Sequence, residues 1–128
     1  MPDLPRSAQQ AVTAFADDMG LVALVADDGA YSFDFRETGR VSVLAGQTGE
    51  VLVSLTRRII LDGLGNLGML AGRARAHGED GSGRVIQAAL NKAEQPVLVL
   101  RMRPEEIDRT TLETSVLALD AEFRALGW

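Results

Sequence analysis

The residues whose types and spacing most suggest chemistry lie between Gly63 and Asp80. Gly63-Leu64-Gly65-Asn66-Leu67-Gly68 matches G-x-G-x-x-G letter for letter. In a dinucleotide site such glycines let the backbone approach a pyrophosphate at a helix N-terminus. That motif should open a first βαβ unit. Here three alternating runs precede it, and the chain is short for two mononucleotide halves. A glycine-bearing helix or a loop is the plainer reading. His77, Glu79 and Asp80 carry metal-ligating groups, but a lone histidine beside two acids in the stretch HGEDGSG is more often a solvated loop. Asp27-Asp28-Gly29 lacks the spaced oxygen ligands of a calcium loop and suits a hairpin turn. Ser32, Ser42, Ser54, Ser82 and Ser115 have no nucleophile elbow or base beside them. Asp17-Asp18 and Glu105-Glu106 are adjacent pairs, so their carboxylates project in different directions. The expectation is a binding protein with no catalytic residue, no cofactor and no metal.

The elements that would position any site are clearer. Tyr31, Phe33 and Phe35 alternate with Ser32, Asp34 and Arg36. Val41 and Val43 flank Ser42, and Val51, Val53 and Leu55 form a third run. A period of two, broken by Glu37-Thr38-Gly39 and Gly46-Gln47-Thr48-Gly49, predicts a meander of half-buried antiparallel strands. Leu21 to Ala26 is a short apolar run leading into the first turn. Ahead of it, Val12, Phe15, Ala16 and Met19 share one helical face, predicting a helix over about Ala8 to Met19. Ser7 with Gln10 fits a capping box, and Gly20 is placed to end the helix.

Arg57 to Ala76 repeats Ile60, Leu64, Leu67 and Ala71 at helical spacing, against the resistance of Gly63, Gly65, Gly68 and Gly72. Gly65, Gly68 and Gly72 fall on one ridge, which suits close packing against another backbone, such as a second copy of the chain. Arg84 to Leu90 fits a helix or a strand equally, and Asn91 to Pro96 suits a hairpin connection. Val97 to Arg103 reads as a strand covered on both sides. After Pro104, Asp108 suits an N-cap. Leu112, Val116, Leu119, Phe123 and Leu126 then form one apolar stripe, which packs a closing helix on a sheet or serves as a short coiled-coil seam. Segregated strands and helices predict an α+β fold with an antiparallel sheet, in a single domain over residues 1–128.

Composition bounds the function. The 128 residues contain no cysteine, which removes disulfides and thiolate metal sites. No apolar run approaches the length of a membrane span, and the first residues do not resemble a signal peptide. A cytoplasmic location is expected. The net charge of −5 is unevenly spread. Residues 1–56 hold eight acids and three bases, 57–103 four and eight, and 104–128 six and two. An acidic whole repels nucleic acid and anionic membranes. The basic block around Arg73, Arg75 and His77 is sparse and free of aromatics, so it reads as a solvated segment paired with its acidic flanks.

The order of parts resembles the class I type III secretion chaperones, the Tir-chaperone-like family of small acidic bacterial proteins. The resemblance rests on the opening helix ending Phe15-Ala16-Asp17-Asp18-Met19-Gly20-Leu21 and on Asp27-Asp28-Gly29-Ala30-Tyr31-Ser32-Phe33. It extends to Val97-Leu98-Val99-Leu100-Arg101-Met102-Arg103-Pro104 with Ile107-Asp108, and to Phe123 and Trp128 in the closing segment. The four glycines of the middle helix depart from the family's larger apolar residues. The resemblance implies three helices on a twisted antiparallel sheet, in the order helix, strands, helix, strands, helix, and it resolves Arg84 to Leu90 as strand. It implies a homodimer built around the middle helix, for which Leu64, Gly65, Leu67, Gly68 and Gly72 are the candidates. It also implies a non-catalytic role, holding the N-terminal segment of a secreted effector extended before export. By position, Val22, Leu24, Phe33, Phe35, Val41 and Val43 are the candidates for effector contact, with plain core as their alternative. A protein-binding domain on the same scaffold without a secretion role, or a small nucleotide-binding enzyme using Gly63 to Gly68, are the rival readings.

Overall fold

In a computed structural model, the structure describes residues 4–21, 24–25, 29–59, 68, 70–72 and 85–128, with the side chains of Leu24 and Val85 left aside. Helix α1 spans Arg6–Met19. Six strands follow: β1 (Leu24–Val25), β2 (Tyr31–Phe35), β3 (Gly39–Ala45), β4 (Val51–Thr56), β5 (Val85–Leu90) and β6 (Pro96–Met102). A 3-10 turn at Pro104–Glu106 leads into helix α2, Arg109–Ala125. Between β4 and β5, Gly68, Leu70, Ala71 and Gly72 are helical.

The strands form one antiparallel sheet in the order β1-β2-β3-β4-β6-β5. The meander of the first strands is the one that the alternation predicts. Arg84 lies outside the described residues, while the rest of the ambiguous stretch, Val85 to Leu90, is strand, pairing along β6 from Arg101 to Pro96. Its own pattern suited either form, and the partner strand decides it. Asn91 closes the β5–β6 hairpin, its side-chain oxygen accepting from the backbone N–H groups of Ala93 and Gln95.

One face of the sheet carries the core. Phe33, Val41, Leu55 and Leu98 lie across neighbouring strands in one row, and Val43, Val53, Leu100 and Ile86 in the next, all buried. Helix α1 lays Val12 and Phe15 on this face, with the Phe15 ring edge-on to Phe33 at 5.7 Å. Helix α2 lays Leu112, Val116, Leu119 and Phe123 over β4 and β6. Its stripe is therefore a sheet-packing face. Burying each such side chain stabilises the fold by about 1.5–3 kcal/mol.

Three local expectations change. Helix α1 begins at Arg6 after Pro5, with no side-chain cap, so Ser7 lies inside the first turn and forms no capping box with Gln10. Proline suits a helix start, since its missing N–H would be unbonded there anyway. Gly20 does end the helix, in the left-handed conformation at φ 67°. Arg57, Arg58 and Ile59 are not helical, so no helix starts at Arg57. Finally, β6 is buried on the helix side at Leu98, Leu100 and Met102, whereas Val97 and Val99 are partly exposed and Arg101 is exposed.

Candidate functional site

The face of the sheet turned away from α1 and α2 is a graded surface. Ser32, Ser42, Ser54, Val99 and Gln87 form one row across it, and Leu44, Leu52 and Arg101 another. The serines and the Leu and Val side chains are partly exposed, and Ser32 and Ser42 share a hydrogen bond of 3.2 Å. Such a face offers apolar contact with scattered hydroxyl partners. Among the described residues the sheet has two edges, β1 and β5, each paired on one side only. An edge strand carries unpaired backbone N–H and C=O groups that can accept a further strand. On β1, Val25 is 60% exposed, one of the largest apolar exposures in the described chain. Beside this end, the outer side of α1 and Tyr31 line an open cleft of about 480 Å³ with Gln9, Gln10, Thr13 and Asp17.

The residues singled out for effector contact separate into three groups. Phe33, Val41 and Val43 are 1%, 0% and 0% exposed and belong to the core beneath α1, so in this protomer they support the sheet from below and offer no docking surface. The alternation that marked them as sheet-facing holds, but the face they share is the one the helices cover. Phe35 is partly buried and its ring lies 6.3 Å from that of Phe15, while the backbone of Leu24 pairs with Ser32 on the edge strand. Val22 lies outside the described residues. Of the dimer candidates, Leu64, Gly65 and Leu67 lie outside them as well. Gly68 and Gly72 are helical and exposed, and a Cβ placed on either would meet no atom within 4 Å. Leu70, between them, is fully buried in the core. This short helical stretch thus anchors one side and presents two glycines on the other.

The remaining candidates of the glycine motif, Gly63 and Gly65, lie outside the described residues, as do Arg73, Arg75, His77, Glu79, Asp80 and Asp27-Asp28. Among the described residues, no group of His, Cys, Asp and Glu side chains is arranged to hold a metal ion. No described helix is long and apolar enough to cross a membrane.

One constellation went unnoticed in the sequence. Just past β4, the Arg57 side chain is 7% exposed. Its Nη1 donates to Asp120 Oδ1 at 2.6 Å and to the Thr38 carbonyl at 2.7 Å, and its Nη2 to the Trp128 carbonyl at 3.0 Å. The guanidinium lies 5.0 Å from the centre of the Phe123 ring, a cation–π contact. Arg124 Nε donates to the other Asp120 oxygen at 2.6 Å. Burial pushes the Asp120 carboxyl upward, but the hydrogen bonds from Arg124 and Arg57 outweigh it and hold the group below the usual carboxylate range. The available signal was Asp120 itself, one turn beyond Val116 and next to Leu119 on the buried stripe. An acid there needs a buried cation.

No family model matches the chain. No curated protein sequence matches it either. Among solved structures, the chain is similar to the type III secretion chaperone SycH of Yersinia pestis, solved in complex with a stable fragment of YscM2. The two share 19% identity at a TM-score of 0.60, over 92% of this chain and 98% of that one. It is also similar to a chain of the HopA1–SchA chaperone–effector complex, at 15% identity and a TM-score of 0.64, over 94% of this chain and 91% of that one. At these identities the likeness is one of fold, and it runs nearly end to end.

Proposed function

We propose that this protein is a cytoplasmic chaperone of type III secretion, which binds the N-terminal segment of an effector and keeps it extended until export. The observation that carries the reading is the end-to-end agreement of fold with chains from two chaperone complexes, each solved with a bound protein partner. The surface described above suits the task. An extended client adds a strand along an exposed sheet edge, and partly exposed apolar side chains hold its residues. Ordering the client costs conformational entropy, which the contacts must offset. No covalent step is involved, so the reading needs no catalytic residue. Contact is assigned to Leu24 on β1 and Phe35 on β2, together with Val22. Two copies associate through the helix bearing Gly68 and Gly72, together with Leu64, Gly65 and Leu67.

The test is co-purification of the tagged protein from its host with secretion switched on, followed by mass spectrometry and truncation of the partner. One dominant partner, lost when its N-terminal segment is removed, is the expected result. A partner held through a folded C-terminal domain, or none at all, overturns the reading.

A further inference from the structure

At one end of the sheet, the β2–β3 turn, the exit of β4 and the last turn of α2 enclose a cleft of about 410 Å³. Four arginines line it, Arg36, Arg57, Arg58 and Arg124, with Glu37 and Trp128. This is a concentration of positive charge on a chain of net charge −5.

The ion pairs already present do not exhaust these cations. Arg57 is held by Asp120 and two carbonyls. Arg58 donates to Asp34 by one Nη2 bond of 3.1 Å, and Arg124 to Asp120 by one Nε bond. Among the described residues Arg36 has no ion-pair partner, and it is exposed. A guanidinium has more N–H donors than these bonds occupy, in a planar fork that matches a carboxylate. Arg57, 7% exposed, is the buried member of the lining and is held in place by Asp120. Trp128 adds a ring beside them, itself packed 6.4 Å from Phe123.

We propose that this cleft is a docking site for the carboxylate side chains of an acidic stretch of polypeptide, received by Arg36, Arg58 and Arg124 beside Trp128. The proposal deepens the client-binding reading and rests on it for the source of that polypeptide. A long phosphate backbone is the poorer fit. The basic lining is bordered by Glu37, and the chain as a whole, at a net charge of −5, repels polyanions. The size of the cleft exceeds that of a single small anion, and its aromatic wall suits the stem of a peptide. For a chaperone that is acidic overall, such a cleft supplies local attraction where the mean field is repulsive.

Trp128 is the only tryptophan in the chain, so its emission reports occupancy directly. The probe is a blocked, tryptophan-free peptide of alternating Asp and Glu, compared with its Asn and Gln isostere, titrated into the full chain at low salt. The expected result is a saturable change in emission with the acidic peptide only, weakened by sodium chloride. Arg36→Glu should weaken it by roughly tenfold or more. Arg36 is exposed and has no ion-pair partner among the described residues, so this variant keeps its fold, which circular dichroism verifies. Arg103→Glu changes by the same charge an exposed arginine just past β6, where Met102 pairs with Val51 at the end of β4 away from the cleft, and should have a much smaller effect. Equal binding of the isostere, equal loss in both variants, saturation of the same change by inorganic phosphate, or no saturable change would each overturn the proposal. The assay uses no client, so its failure leaves the secretion reading standing. Failure of the client co-purification leaves the peptide result standing as a binding property of the cleft.

Discussion

Arg57 and Asp120 join parts of the chain that are far apart in sequence: the end of the meander, the β2–β3 turn at Thr38, and the closing helix with Trp128. Removing one member of a buried pair leaves an uncompensated charge, and typically costs about 3–5 kcal/mol. Asp120→Asn preserves the shape of the side chain while stripping Arg57 of its counter-charge. Urea unfolding should show a loss toward the lower end of that range, about 3 kcal/mol, because Asn still accepts one hydrogen bond. The pH dependence carries the same information. Asp120 has a lowered value in the folded state, so the unfolded chain takes up its proton first as pH falls. Its contribution is therefore present above the ordinary carboxylate range, near pH 4, and is lost as the pH drops through the folded value. Asp34 is lowered too, first by its hydrogen bond from Arg40, but its side chain is 41% exposed and solvent screens the pair. The variant should therefore have a flatter stability profile below about pH 4 than the parent chain. An unchanged profile would remove Asp120 as the main acid-sensitive group.

The helical residues around Gly72 pose a question of sign. In a helix that faces only solvent, Gly→Ala stabilises by about 0.5–1 kcal/mol, and among the described residues nothing would obstruct the added methyl at Gly68 or Gly72. In a helix that meets its own copy across those glycines, the same methyl holds the two backbones apart. Gly72→Ala and Gly68→Ala are therefore expected to weaken association in sedimentation equilibrium. A more stable variant with unchanged association would remove these glycines from the interface. The same stretch shows what was and was not legible in the sequence. The meander and the closing helix were readable, because period two and the Leu112 to Phe123 stripe each match only one kind of element. Val85 to Leu90 was not, since its pattern fits both and pairing with β6 settles it. The expected helix start at Arg57 failed for a related reason. Arg57 is buried by residues more than sixty positions away, a tertiary contact that no local period encodes. Among the effector candidates, Phe33, Val41 and Val43 lie in alternating runs, but alternation does not say which face the helices cover.

At the scale of the whole molecule, the described residues present two sheet edges and one partly apolar sheet face, with a closed core on the other side. Natural sheets limit edge pairing by keeping edge strands short. Among the described residues strand β1 comprises Leu24–Val25, which marks the edge. Under the proposed function a client segment uses this edge together with the partly apolar face, and its binding should carry the marks of coupled folding. Calorimetry with the client's isolated N-terminal segment is expected to give a negative heat-capacity change and a favourable enthalpy opposed by entropy. Because the segment engages the folded chain and not the unfolded one, it should also raise the chain's stability by about 2.7 kcal/mol when supplied at roughly 100 times its dissociation constant. Rigid docking through the rim alone would give a small heat-capacity change, since little apolar surface is buried. That outcome would locate the partner on the charged end of the sheet and leave its β1 edge unused.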